Sequence, residues 1–302
     1  MHKLLDRLKA GAVVVGDGAW GTLLMARGLK PGEPPESINL TRGDVLEDIA
    51  RQYLDAGAEI VTTNTFGGSP ARLRQYGLDR ETEAINRAAV DAARRAAADR
   101  AYVSASVGPC GHVLAPYGEA NPADVAEGFE RQIRALFTAG VDLICIETMT
   151  DLHEAALAVR AARTAAPGVP VMATMTFERT RRGFFTVMGV SIEQAARGLT
   201  EAGADIVGSN CGNGIEIMID IARAFRACTD RPVAIQANAG LPEQRGSALV
   251  YPETPDFMAE KAAALLELGV SLIGGCCGTT PDHIRAIRRV VDRELNSGCD
   301  AT

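Results

Sequence analysis

Aromatic residues are scarce in this sequence, and basic residues do not outnumber acidic ones. Phe, Trp and Tyr together make up 5% of the 302 residues, and the formal net charge is −7. Such a chain lacks the stacking surface that nucleic-acid bases use and the positive field that phosphates or anionic lipids require. We therefore expect no nucleic-acid partner.

Long apolar runs are also missing. No uninterrupted hydrophobic stretch approaches the roughly 20 residues that cross a bilayer, and the N-terminal segment MHKLLDRLKAG is too polar for the core of a signal peptide. Hydrophobic residues still make up 47% of the chain, enough for a large core. We expect a cytoplasmic protein without membrane contact. No linker rich in Pro, Gly or Ser divides residues 1–302, which favours one domain.

Short β-branched runs alternate with longer helical patterns along the chain, as in βα units around a parallel sheet. A helix-to-strand sequence recurs as AGAEIV, AGVDLI and AGADIV, each containing the glycine expected after a helix. The eight strand candidates are residues 12–16, 58–64, 101–108, 141–147, 170–177, 204–210, 232–238 and 270–275. The sequence predicts a single (β/α)8 TIM barrel, with an eight-stranded doubly wound sheet as the alternative.

Polar or thiol side chains follow most of these strands. The residues at the strand ends are Asp17, Asn64, Glu147, Cys211, Asn238 and the pair Cys276 and Cys277. In a (β/α)8 barrel the carboxyl ends of all strands meet on one face, where the active site lies. We therefore expect these side chains to share one site.

Three of the seven cysteines form the strongest pattern. Cys211 lies in GSNCGNG after the sixth strand, and Cys276 and Cys277 lie in GGCCGTTP after the eighth, so their sulfurs could meet. Three thiolates favour zinc and leave its fourth position for a substrate. A substrate thiol bound there would lose its proton near neutral pH, which predicts attack by sulfur. The alternatives are a redox pair or ordinary buried thiols.

The other cysteines and the single tryptophan are expected to serve packing. An odd number of cysteines in a chain of this size argues against a disulfide framework. We expect Cys145, Cys228 and Cys299 to be buried, and Trp20 to lie in the core. For Cys110, in GPCGH, loop packing and a spare thiol at the site mouth both stay open.

Two acidic residues at strand ends could bind an amino group. Asp17 in GDGAWGT and Glu147 in CIETMTD are candidate catalytic and substrate-binding residues, because paired carboxylates suit the ammonium of an amino acid. Main-chain N–H groups of the glycine-rich loops could hold its carboxylate. The alternative for both residues is helix capping or a surface ion pair.

Taken together, the motifs GDGAWGTLL, TNTFGGSPARLRQYGL, ETMTDLHEA, GSNCG, QANAGLP and GGCCGTTPDHI are highly specific. The chain resembles the homocysteine S-methyltransferase family almost end to end, especially the homocysteine-binding module of cobalamin-dependent methionine synthases. The resemblance implies zinc held by Cys211, Cys276 and Cys277, with Asn238 at or near the metal when homocysteine is absent. It also implies that Asp17 and Glu147 contact the substrate amino group.

The activity implied by the resemblance is methyl transfer to homocysteine, giving methionine. The donor we expect is methylcobalamin carried by a separate corrinoid protein. S-methylmethionine, S-adenosylmethionine and betaine are the alternative donors. Two other classes stay open: a non-catalytic subunit that binds a thiol for a corrinoid methyltransferase system, and a metal-free barrel lyase or aldolase.

Overall fold

The computed structural model of the protein describes residues 3–30, 32–246 and 248–299. Its main sheet has eight parallel strands. They are β1 (Val14–Val15), β2 (Ile60–Thr62), β3 (Tyr102–Val107), β4 (Leu143–Met149), β5 (Val171–Met175), β6 (Ile206–Asn210), β7 (Val233–Ala237) and β8 (Leu272–Gly275). Seven of the eight predicted strands contain one of them, and the predicted strand 141–147 overlaps β4, which ends two residues later.

Helices connect the strands. The α-helices are α1 (Lys3–Lys9), α2 (Gly21–Ala26), α3 (Gly43–Asp55), α4 (Pro70–Arg74), α5 (Thr82–Ala97), α6 (Pro122–Ala139), α7 (Leu152–Ala165), α8 (Ile192–Ala202), α9 (Ile215–Arg226), α10 (Pro255–Glu267) and α11 (Pro281–Cys299). Short 3-10 helices cover Pro35–Ile38 and Asp79–Glu81. Two antiparallel hairpins follow β5 and β7; they pair Glu178–Thr180 with Gly183–Phe185, and Glu243–Arg245 with Ala248–Val250. No described helix has the length and apolar character needed to cross a membrane.

The strand order closes the sheet into a barrel. β1 pairs with β8, and the order then continues through β7, β6, β5, β4 and β3 to β2. A parallel bridge between Gly16 and Ile60 joins β1 to β2. Because the first strand touches both the second and the last, the predicted (β/α)8 TIM barrel is confirmed and the open doubly wound sheet is wrong.

Local signals in the sequence set where the helices begin and end. The hydroxyl of Ser191 accepts from the N–H of Gln194, whose side chain accepts in return from the Ser191 N–H, so α8 begins with a capping box. α6 has Pro122 in its first turn and ends at Gly140, whose φ of 93° lies in the left-handed region that glycine adopts freely.

The two largest parts of the core lie on either side of the sheet and at the amino ends of its strands. Between sheet and helices, α5 presents Ala89, Ala92, Ala93 and Ala96, small side chains that let the helix lie close to the strands. At the amino ends of the strands, Leu4 and Leu8 of α1 pack in a cluster that includes Val14, Ile60, Leu143, Cys145 and Leu272. The helix α1 therefore covers the barrel end opposite to the face on which a site is expected.

The cover formed by α1 predicts a difference between adjacent leucines. Leu4 is fully buried, whereas Leu5 is only partly buried. Leu4→Ala should lower the free energy of unfolding by about 2–5 kcal/mol, because it leaves a cavity at the barrel end. Leu5→Ala should cost clearly less, as measured by urea unfolding. Equal losses in the two variants would show that α1 does not close the core.

Candidate functional site

The three predicted cysteines converge at the carboxyl ends of the strands. Cys211 directly follows β6, and Cys276 and Cys277 directly follow β8. Their sulfurs all lie within 4.8 Å of one another, and the Sγ atoms of Cys211 and Cys277 are 3.8 Å apart. The strand between them, β7, holds both loops: the Cys211 N–H donates to the Gln236 carbonyl (3.1 Å), and the Cys276 N–H to the Ala237 carbonyl (2.7 Å).

Unusual backbone turns aim these sulfurs at one point. Cys211 has a φ of 62° and Gly212 a φ of 76°, both in the left-handed region. Only glycine enters that region without a steric penalty, so Cys211 is held there against its local preference. Gly278 has a φ of 81°, and a Cβ at this position would lie 2.1 Å from the ring of Tyr251. Glycine after the cysteine pair therefore allows both the turn and the close approach of that ring.

The donor set fits zinc. Zn–S bonds of roughly 2.3 Å in a tetrahedral site place sulfurs about 3.8 Å apart, as Cys211 and Cys277 are. Asn238 is buried beside the Cys211 sulfur, and its Oδ1 has no hydrogen-bond partner in the described part of the chain. A buried oxygen left unpaired beside three thiols suits a metal ligand or a neighbour of one.

Hydrogen bonding among the thiols concentrates negative charge on one sulfur. The thiols of Cys276 and Cys277 hold the pKa of Cys211 well below its ordinary value. The same contacts raise the pKa of Cys276 well above that value. The cluster can therefore carry one thiolate at neutral pH without any cation, and it is prepared to lose further protons to a metal.

Asp17 is fixed at the wall of a cavity of about 410 Å³ that also reaches the cysteines. Its carboxylate accepts hydrogen bonds from the Thr62 N–H (2.7 Å), the Thr62 hydroxyl (2.8 Å) and the Trp20 indole N–H (2.9 Å). Burial raises the pKa of Asp17 to about 6, although these donors oppose the shift.

Glu147 lines the same cavity. Its carboxylate accepts a hydrogen bond from the Ser106 hydroxyl and a longer one from the Asn210 amide (3.4 Å). Burial, and to a smaller extent the charge of Asp17, raises the pKa of Glu147 to about 7. No ion pair compensates Asp17 or Glu147 within the described residues, so the arrangement suits a cationic ligand such as an ammonium group.

Several residues of the site were not found from the sequence. Trp20 packs against the core as expected, but it also lines the cavity and donates to Asp17, so the expectation of a purely structural role was incomplete. Ser106 could have been suspected from its place at the end of β3. Tyr251 follows the second antiparallel hairpin, and its hydroxyl is a neighbour of Cys277. No sequence pattern connects these two residues.

The other residues singled out from the sequence lie outside the thiol cluster. Cys110 is buried and its thiol donates to the His112 carbonyl (3.4 Å), so it serves loop packing. Cys145 lies in the core, whereas Cys228 is exposed, which makes the expectation of burial wrong: it follows the last turn of α9. The side chain of Cys299 lies outside those described. Asn64 lines the cavity and is tied to Asn39 by a 2.7 Å hydrogen bond.

Comparison with known proteins identifies the family. Residues 14–291 match the sequence model of the homocysteine S-methyltransferases. The chain belongs to this family of enzymes. It is 36% identical over 309 residues to the methionine synthase of Mycobacterium leprae (strain TN), covering 96% of this chain and 25% of that protein. The methionine synthase of Mycobacterium tuberculosis (strain ATCC 25618 / H37Rv) is also 36% identical, over 307 residues, with 95% and 25% covered. The chain thus spans about a quarter of the length of these relatives.

Solved structures show the same fold in this family. The metallated form of the homocysteine methyltransferase MmuM from Escherichia coli superposes with a TM-score of 0.77 at 22% identity, over 92% of this chain and 96% of that one. Its oxidized form gives a TM-score of 0.79 at 23% identity, over 95% and 99%.

The raised pKa of Glu147 predicts a dependence of stability on pH. In the folded state the pKa of Glu147 is raised from its ordinary value of 4.5 to about 7. Ionisation of this carboxyl group therefore destabilises the fold as the pH rises towards about 7. In the metal-free protein, Glu147→Gln should therefore raise the free energy of unfolding by about 1–3 kcal/mol near pH 8. The gain should shrink towards pH 5 in urea unfolding.

Glu33 supplies a control for this effect, because it lines the same cavity but is exposed. Glu33→Gln should leave the unfolding free energy unchanged at both pH values. A loss of stability in Glu147→Gln near pH 8 would contradict the account of a carboxylate buried at a cost.

Proposed function

We propose that the protein is a zinc-dependent S-methyltransferase that methylates homocysteine and gives methionine. The observation that carries the proposal is the meeting of three thiols and two carboxylates on one cavity at the strand ends of a barrel of this family. The names of the relatives, methionine synthase and homocysteine methyltransferase, support it.

Cys211, Cys276 and Cys277 would hold the zinc, with the Asn238 oxygen beside them. Zinc bound there would lower the pKa of a thiol that joins it, and so supply a thiolate nucleophile at neutral pH. The negative charge of three protein thiolates favours attack by sulfur over hydrolysis. Reduced thiols are also typical of the cytoplasm, where we propose that the protein works.

Asp17 and Glu147 would bind the ammonium group of homocysteine. A cation between the two carboxylates lowers their pKa values, so both would be ionised in the complex at neutral pH. Their place on the cavity that reaches the cysteines would direct the other end of the amino acid towards the thiols. This fixes the sulfur for reaction, which is a large part of what an active site contributes.

The carboxylates are themselves held in place. Thr62 donates two hydrogen bonds to Asp17, and Ser106 donates one to Glu147. Ser106 is held in turn by the Thr63 hydroxyl, which accepts from its N–H (3.3 Å), and by Thr65, which donates to its carbonyl (2.8 Å). These contacts would make Thr62 and Ser106 positioning residues for amino-acid binding.

For the methyl donor we propose methylcobalamin carried by a separate corrinoid protein. The support is the similarity to methionine synthases of which this chain matches one quarter. A small-molecule donor, namely S-methylmethionine, S-adenosylmethionine or betaine, is the second candidate. Methionine formation with each donor offered separately distinguishes these cases. Turnover with any small-molecule donor would exclude a non-catalytic thiol-binding subunit, whereas failure with every donor, free methylcobalamin included, would point to a missing corrinoid protein or to another thiol acceptor.

The thiol cluster predicts which cysteines retain metal. Cys211→Ser, Cys276→Ser and Cys277→Ser should each purify with far less than one zinc per chain and show no turnover, since each removes one of three ligands. Cys228→Ser, at an exposed cysteine, should keep its zinc. Metal analysis and circular dichroism check both points. Zinc retained in all three variants, or a barrel that unfolds in all three, would count against a catalytic metal at the rim.

The support of Glu147 predicts a contrast between two serines of β3. Ser106→Ala should weaken methionine binding about tenfold, because loss of a hydrogen bond to a charged group leaves the carboxylate less well fixed. Ser104→Ala should leave the affinity unchanged, since the Ser104 hydroxyl is buried without a hydrogen-bond partner in the described chain. Calorimetric titration measures both. Equal affinities in the two variants would remove Ser106 from the binding machinery.

A further inference from the structure

Arg72 stands out in the cavity because of its charge. It is the one basic residue among the described side chains that line this space, and the acidic ones are Asp17, Glu33, Glu36 and Glu147. Within the described part of the chain its guanidinium makes neither a hydrogen bond nor an ion pair. Its backbone N–H donates to the Ser69 hydroxyl, which caps α4, and its carbonyl accepts from the Gln75 N–H. A cation in an acidic cavity is therefore left without a direct partner.

The nearest candidate partner is otherwise occupied. Glu36 is buried, and its carboxylate accepts a 2.6 Å hydrogen bond from the Gly67 N–H. The charge of Arg72 is only a minor influence on the pKa of Glu36, which burial raises. The Glu36 carboxylate thus bonds to the backbone and not to the guanidinium, whose donors stay available to a ligand.

The backbone makes room for the side chain at this place. A Cβ on Gly111 would lie 2.8 Å from both Cδ and Nη1 of Arg72, so the arginine lies directly across that glycine. Gly111 has a φ of 86°, a conformation that also favours glycine. The loop after β3 therefore holds the guanidinium at the cavity wall.

Apolar side chains surround this end of the cavity. Met25, Phe66 and Tyr76 line it and are 49%, 37% and 45% exposed, whereas Asp17 at the other end is 2% exposed. The volume of about 410 Å³ falls within the range of sites for drug-sized ligands, more than an amino acid alone requires. The cavity thus has a buried part that contains Asp17, Glu147 and the thiols, and an exposed part that contains Glu33 as well as the apolar side chains.

We propose that Arg72 binds an anionic group, a carboxylate or a phosphate, of a ligand that occupies the exposed end of this cavity. The planar guanidinium offers paired donors that match either anion. It also offsets the repulsion that the four acidic side chains would exert on that group. The anion has two possible sources: the carboxylate of the amino-acid acceptor, or the anionic group of the methyl donor. In naming these two sources the proposal rests on the proposed function.

The test compares Arg72→Gln with Arg74→Gln. Arg74 is on the same short helix but is exposed and pairs with Asp79 (3.5 Å), outside the cavity lining. Calorimetry of the zinc-loaded proteins would use methionine, S-methylmethionine, betaine and methylcobalamin separately. Arg72→Gln should weaken at least one ligand about ten- to a hundredfold, as expected for hydrogen bonds to a charged group. Arg74→Gln should weaken none.

The pattern of losses identifies the source of the anion. If Arg72→Gln weakens the binding of methionine but not that of its carboxyl-free analogue 3-(methylthio)propylamine, Arg72 binds the carboxylate of the acceptor. Loss with a donor but not with methionine assigns it to that donor. Arg72→Lys, which keeps the charge without the planar fork, should lie between the two extremes.

Unchanged affinities in Arg72→Gln, or a parent protein that binds none of the four ligands, would overturn the proposal. The binding assay does not depend on turnover. A protein that binds a ligand through Arg72 but transfers no methyl group would therefore contradict the proposed function and leave the anion site intact.

Discussion

The strand β7 is the structural element on which the site depends. It lies between β6 and β8, and its carbonyls at Gln236 and Ala237 accept the N–H groups of Cys211 and Cys276. Because β6 and β8 are both direct neighbours of β7, Cys211 and Cys277 come into sulfur–sulfur contact although they are far apart in the sequence. The thiol cluster thus follows from the pairing and register of neighbouring barrel strands and does not require a flexible loop to rearrange.

The same convergence concentrates negative charge. Two carboxylates with pKa values raised to about 6 and 7 face a cavity that already contains three thiols. In the absence of a cation this is unfavourable, and the extensive core of the barrel offsets it. A zinc ion and a substrate ammonium would each remove part of that repulsion, so binding and stability are coupled at this face.

Much of this could be predicted from the sequence because it follows from periodicity and position. Eight alternating units fixed the fold class, and the end of each strand indicated Asp17, Glu147 and the three cysteines. What could not be predicted depends on side-chain direction and on loop paths. The unpaired guanidinium of Arg72 across Gly111 and the exposure of Cys228 have no signature in spacing or composition. The end of β3 indicates Ser106, but not its contact with Glu147. Asn238 was indicated by its place at a strand end and by the family resemblance, but the burial of its unpaired oxygen could not be read from the sequence.

We propose a metal held by three protein sulfurs with one position left for the sulfur of homocysteine. X-ray absorption at the zinc edge of the loaded protein, recorded before and after addition of homocysteine, tests it most directly. The account predicts three sulfur ligands from Cys211, Cys276 and Cys277, increasing to four with homocysteine. A sulfur count that does not change on addition of homocysteine would contradict it.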